Sequence, residues 1–140
     1  MKRTTIYHFI SWLFIALFLY TAVSKLLDWQ AFLGQLEESP LIGPNLARFA
    51  WVVPAVELSI AVMLGLPRLR IAGLYASMIL MIGFTIYTIA LTSSGPDLPC
   101  GCGGFLEQLP PVTHIVLNVI LSLLALAGAR MITIHSKTSI

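Results

Sequence analysis

Four long apolar runs, separated by short polar or proline-rich breaks, set the pattern of this chain. The first runs from Ile6 to about Leu27, the second from about Phe49 to Leu66, the third from Ile71 to about Leu91, and the fourth from Val112 to Ala129. Each is about as long as the roughly 20 apolar residues that span a bilayer as a helix. The breaks carry turn chemistry. Pro40, Gly43 and Pro44 interrupt the first, Pro67 and Arg68 make the second a tight turn, and Pro96, Pro99, Pro110 and Pro111 bracket the third. The pattern predicts an all-α membrane protein. It is a four-transmembrane-helix bundle, a single membrane domain over residues 1–140, with connections at 28–48 and 92–111 on one side.

Composition supports this reading. Apolar residues make up 58% of the 140 and charged residues 10%, against about 25% charged in an ordinary soluble domain. So few charges cannot cover a water-facing surface, and a net charge of +2 is too small to point to nucleic acid. Lipid is the predicted surroundings.

The charges also predict an orientation. Lys2, Arg3, Arg68, Arg70, Arg130 and Lys137 fall on one side of a four-span chain; Lys25 and Arg48 lie toward the other. Asp28, Glu37, Glu38, Asp97 and Glu107 lie in or beside the two connections of that other side. Cations gather on the cytoplasmic side of membrane proteins, so both termini are expected in the cytoplasm and both connections outside, in a bacterial inner membrane. Met1-Lys2-Arg3 before an apolar run, with the small-residue stretch Ala22-Val23-Ser24 toward its end, also has features of a cleaved signal peptide. The length of that run and Trp12 within it favour a retained span.

The chemistry is concentrated in one turn. The only two cysteines form Cys100-Gly101-Cys102, followed by Gly103 and Gly104. A disulfide across one residue closes a strained ring, and strain makes a disulfide easier to reduce. Gly101 permits the backbone angles such a ring needs, while Gly103 and Gly104 leave the approach open. The outward side is oxidising in most bacteria. A nearby cation would raise the thiolate fraction. The same thiolates with His114 make an S₂N set for Cu(I) or zinc.

Ionisable groups inside spans mark functional sites by default. Glu57, three residues after Pro54, is the clearest. Lys25, near the end of span one, can reach Glu57 or turn outward to Asp28. His114 and Asn118 are four apart at the start of span four, hence on one helix face. The topology gathers Lys25, Glu57, His114 and Asn118 near the cysteine turn, with Glu107 a further candidate. Each also has a plainer reading: Lys25–Asp28 an interfacial anchor, Glu57 and Asn118 helix-packing contacts, His114 a helix cap, Glu107 a solvated loop acid. Trp12, Trp29, Trp51 and Tyr87 read as interface or packing residues.

These residues together resemble the MauE/DoxX-like redox-associated membrane proteins. Thr21-Ala22-Val23-Ser24-Lys25-Leu26-Leu27-Asp28 is similar to the family's first-span motif, and Val53-Pro54-Ala55-Val56-Glu57-Leu58 to its Pro–Glu motif. Cys100-Gly101-Cys102-Gly103-Gly104 with Leu106-Glu107 is similar to its Cys-x-Cys signature, and His114 and Asn118 match polar positions opening span four. The resemblance implies a four-helix inner-membrane protein that handles disulfides of an envelope client. The expected activity is a thiol–disulfide relay through Cys100 and Cys102. Lys25 and His114 would stabilise thiolate, and Glu57 would orient Lys25. The expected partner is a periplasmic thioredoxin-like protein or a disulfide-containing client. The cofactor is left open: a quinone between the helices is one that such a relay can use, and no motif of this chain marks it. Copper or zinc delivery and a non-catalytic assembly role are the alternatives.

Overall fold

The computed structural model describes residues 2–95 and 108–139. Those residues form six helices and no strand: α1 (Arg3–Leu27), α2 (Trp29–Glu38), α3 (Gly43–Ala47), α4 (Val52–Gly65), α5 (Arg70–Ser94) and α6 (Pro111–Thr138). Four segments are long and apolar enough to cross a membrane: Arg3–Leu27, Gly43–Gly65, Arg70–Ser94 and Pro111–Thr138. The all-α, four-span expectation is met.

Two boundaries differ from the hydropathy reading. The 28–48 connection holds α2 and α3, and the helix of span four continues to Thr138, nine residues past Ala129. Arg130 marks a change in hydropathy but no helix stop: residues 129–138 contain neither Gly nor Pro. A helix ends where backbone chemistry stops it.

Helix starts follow proline rules. Pro54 sits in the first turn of α4 and Pro111 opens α6, where a missing N–H costs nothing. At the far end of α4, Arg70 Nε donates to the carbonyl of Leu64 at 3.2 Å, supplying a partner for one of the helix's last carbonyls. Arg70 also holds His8 Nδ1 at 3.2 Å, tying α5 to α1.

Each span buries one stripe. On α1 the buried residues are Tyr7, Ile10, Ser11, Phe14, Phe18, Thr21, Ala22 and Lys25, the spacing of a single helix face. On α6 they are His114, Asn118, Leu121, Ala125, Gly128 and Ala129. Helix α1 packs on α4 and α6, and α5 packs on α6 and α4, which makes a ring of four. The shared core contains Ile10, Phe14, Phe18, Ile60, Leu64, Leu74 and Ala125. The opposite faces, with Phe9, Trp12, Ile79 and Leu123, are exposed to the surroundings, as lipid-facing surfaces should be.

Most hydroxyls in the spans bond back to their own helix. Ser11 donates to Tyr7 O at 2.9 Å, Ser77 to Gly73 O at 2.7 Å and Thr88 to Phe84 O at 2.8 Å. Lipid offers no partner for these groups, so the helix supplies one.

Candidate functional site: a buried ion pair beside a cavity

Four span ends converge where the chain's polar span residues fall: the C-terminal ends of α1 and α5 and the N-terminal ends of α4 and α6. Lys25 lies in the last turn of α1, on its buried stripe. Glu57 lies in the second turn of α4, one turn past Pro54. Lys25 Nζ donates to Glu57 Oε1 at 2.8 Å. The two side chains are only 2% and 1% exposed. Lys25 therefore turns inward to Glu57. Asp28 is exposed; its backbone N–H donates to Ser24 O at 3.1 Å where α1 ends, and its side chain makes no cap bond to α2.

The surroundings of the pair are aromatic. Lys25 Nζ is 5.9 Å from the ring centres of both Phe32 and Phe84, within reach of their negative faces. Phe32 comes from α2, the amphipathic helix that follows α1. Phe32 and Leu36 point inward and pack with Ala47 and Ala50. The α2–α3 joint is fastened to α5: Tyr87 donates its hydroxyl to Ser39 Oγ at 3.1 Å, and Ser39 Oγ also accepts the Leu41 N–H at 3.3 Å.

His114 and Asn118, buried on α6, are bonded to each other, with Asn118 Nδ2 3.2 Å from His114 Nδ1. The spacing of four read from the sequence makes this contact. With the amide donating, Nδ1 is the acceptor and the neutral ring carries its proton on Nε2.

These groups line a cavity of about 250 Å³ whose wall is otherwise mainly apolar. Phe18, Thr21, Met81, Phe84, Tyr87, Thr88, Leu117 and Leu121 complete most of it. Glu57 Oε2 is fully buried there with no hydrogen-bond partner. Thr21 stands beside the carboxylate within hydrogen-bonding reach of it, and its hydroxyl also reaches Phe18 O at 3.3 Å. The sequence reading did not identify Thr21, Thr88 or the wall position of Tyr87. Thr21, four residues before Lys25, was legible by spacing; Tyr87 and Thr88 had no comparable signal.

Cys100, Gly101, Cys102, Gly103, Gly104 and Glu107 lie outside the described residues. So does the metal set they would form with His114. Among the described residues, no three His, Cys, Asp or Glu side chains stand together as metal ligands would.

Fold and site together define a multi-pass membrane protein with a paired charge held inside a four-span bundle. The sequence profile described as "Methylamine utilisation protein MauE" matches residues 3–131, and the chain belongs to that family. No curated protein and no solved structure matches it.

Proposed function

We propose that this protein is a thiol–disulfide relay of the bacterial inner membrane, acting through Cys100 and Cys102 in the maturation of an envelope protein. The family description ties its members to methylamine utilisation. The maturation role at the membrane comes from the resemblance read in the sequence, not from that description.

The observation that carries the proposal is the Lys25–Glu57 pair, 2.8 Å apart and almost wholly buried, at the end of the bundle where α5 leads into the cysteine turn and α6 leads out. Burying an ion pair in a bundle is costly, and plain helix packing does not require it. Next to it stand His114 and Asn118. Together they supply a fixed dipole and a titratable ring at the base of the connection that holds both thiols. Lys25 is matched by Glu57, and His114 lines the same cavity as the pair.

The exchange balances internally. A thiolate of a partner dithiol attacks the Cys100–Cys102 disulfide, an S–S bond forms between the proteins, and one cysteine of this chain leaves as thiolate. The second partner thiolate then breaks the mixed disulfide. The partner ends oxidised and Cys100 and Cys102 reduced, with two electrons transferred. The partner class is a thioredoxin-like protein or a client with its own cysteine pair.

The test is trapping. Cys100→Ser and Cys102→Ser variants, expressed in cells and run on non-reducing gels, are expected to accumulate a mixed disulfide in at least one case. A membrane-impermeant maleimide should label the reduced cysteines in intact spheroplasts, which checks the outward orientation. Full function of the double Cys→Ser variant would sink the relay and favour an assembly subunit. Labelling only after lysis would remove the oxidising compartment on which it depends.

A further inference from the structure

The end of the bundle opposite the cavity carries cations and no acid. Residues 1–27, 58–96 and 108–140 contain no Asp or Glu. Lys2, Arg3, Arg68, Arg70, Arg130 and Lys137 belong to this end, and all but Arg70 are exposed. The bond between Arg70 and His8, and the rings of Tyr7 and His135 with centres 6.3 Å apart, draw the three chain segments together. Among the described residues, none of these six cations has a carboxylate partner; the buried ion pair is at the other end.

Arg70 is the fixed point of this patch. Half-buried at the start of α5, it donates through Nε to Leu64 O on α4 at 3.2 Å and holds Nδ1 of His8 on α1 at 3.2 Å. An arginine only donates, so His8 accepts as a neutral ring, and both partners leave the positive charge unmatched. A guanidinium has five N–H donors in a rigid fork, and these two contacts use two of them. Arg68 adds a second cation in the short turn of residues 66–69 that joins α4 to α5.

The place of Arg70 selects the anion. Ile71 follows it and opens an apolar run, and exposed Leu66 and Leu69 flank Pro67-Arg68. An arginine at such a boundary stands at headgroup level with apolar surface beneath it. So short a turn puts little chain into water for a protein partner, and a net charge of +2 is too small for nucleic acid. A zwitterionic lipid offers a phosphate, but its ammonium would meet cations with no acid among them. We propose that Arg70 and Arg68 form a site for the phosphate of an anionic phospholipid such as phosphatidylglycerol. The phosphate oxygens take the free side of the guanidinium fork, and the acyl chains lie along the exposed face of α1 that carries Trp12. The site is independent of the thiols and of the cavity.

Trp12 reports on it. It lies four residues from His8, one turn deeper on the same helix face, and is 67% exposed. In the Trp29→Phe/Trp51→Phe protein it is the one remaining tryptophan. That protein is reconstituted in mixtures of phosphatidylglycerol and phosphatidylcholine with one or the other dibrominated at mid-chain, and quenching of Trp12 gives their relative affinity. Phosphatidylglycerol should be preferred about fivefold or more, the effect of roughly one cation at a membrane surface. Arg70→Gln should bring the preference close to parity, and Arg68→Gln, at an exposed side chain, should at least halve it. Gly128 faces Ile10 and Leu74, which turns Arg130, two residues on, to the outer face of α6; Arg130→Gln, the same change in charge, should therefore have the smallest effect. Helical circular dichroism and a monodisperse profile establish that each variant is folded. Equal quenching by the two lipids in the parent would overturn the site. So would equal losses in Arg70→Gln and Arg130→Gln, the mark of a diffuse surface field. Displacement of the lipid by excess glycerol 1-phosphate would also overturn it, in favour of a soluble phosphate.

Discussion

The two ends of the bundle are built on opposite rules. Around Ile10, Leu64, Leu74 and Gly128 the helices touch closely. A Cβ on Gly73 would stand 3.0 Å from Leu64 Cδ2 and 3.1 Å from its backbone nitrogen, and one on Gly128 would stand 3.2 Å from Ile10 Cγ2. Around Lys25, Glu57, His114 and Asn118 the same four helices leave a cavity of about 250 Å³ and bury a charge pair beside it. In lipid, helices associate through close packing and a few polar contacts. The tight end meets that requirement and holds the ring of helices together. That leaves the other end free to carry an arrangement that packing alone would not select. Close packing lies at one end, and the buried charge pair and the cavity lie at the other.

Breaking the charge pair is the strongest test of this division. Glu57→Ala should destabilise by about 3–5 kcal/mol, because Lys25 is left charged or must neutralise in a buried place. The double variant Lys25→Met/Glu57→Leu should recover most of that loss, since an apolar pair of similar volume is often neutral or better. It should nonetheless lose function. Unfolding in mixed micelles checks the first part and complementation in cells the second. A single variant as mild as the double would mean that the pair does not behave as a buried unit.

Cavity-making substitutions should differ between the ends. Leu74 is fully buried, and Leu74→Ala is expected to cost about 2–5 kcal/mol. Leu117 is half-buried on the wall of a space that already exists, so Leu117→Ala should cost clearly less. Equal losses on unfolding would mean that the ends are packed alike.

Glycine substitutions sharpen the same contrast on a single helix. Gly73→Val on α5 presses against Leu64 and its backbone and should cost about 1–3 kcal/mol. A Cβ on Gly83, further along α5, would meet nothing within 4 Å, and Gly83→Ala should be neutral or slightly stabilising. Losses of similar size at both positions would place no special closeness at the α4–α5 contact.

Much of this division was legible beforehand. Four spans follow from apolar run length. The Lys25–Glu57 pair follows from two ionisable residues set near adjacent ends of spans one and two. The His114–Asn118 contact follows from a spacing of four. The α2 helix was hidden because ten residues flanked by Pro40 and Gly43 read as a connection, although Phe32 and Leu36 carry the i, i+4 spacing of a buried face. The cavity had no sequence signature at all. It is space left among Phe18, Met81, Phe84 and Leu121, which come from three different helices, and no single run of residues encodes an absence between them. For Tyr87, its hydrogen bond to Ser39 depends on how the α2–α3 joint folds over α5, a long-range relation that local pattern does not carry.

The smallest expected effect is the most specific. Asn118→Leu removes the amide that donates to His114 Nδ1 at 3.2 Å. Side-chain hydrogen bonds between membrane helices average about 0.6 kcal/mol and reach about 1.7; a contact within one helix should fall in or below that range, so unfolding should barely change. The imidazole should change more. In the parent, the amide holds Nδ1 as acceptor and the proton on Nε2; without it, nothing on α6 selects between the two tautomers. Nitrogen-15 NMR of the histidine side chains should therefore show His114 as the Nε2–H form in the parent and as a mixture in Asn118→Leu. His114→Ala assigns the signal against His8 and His135, which lie at the other end of the bundle. A parent that already shows a mixture would mean that Asn118 does not set the proton. The polar end would then keep its buried charge pair but lose its oriented donor.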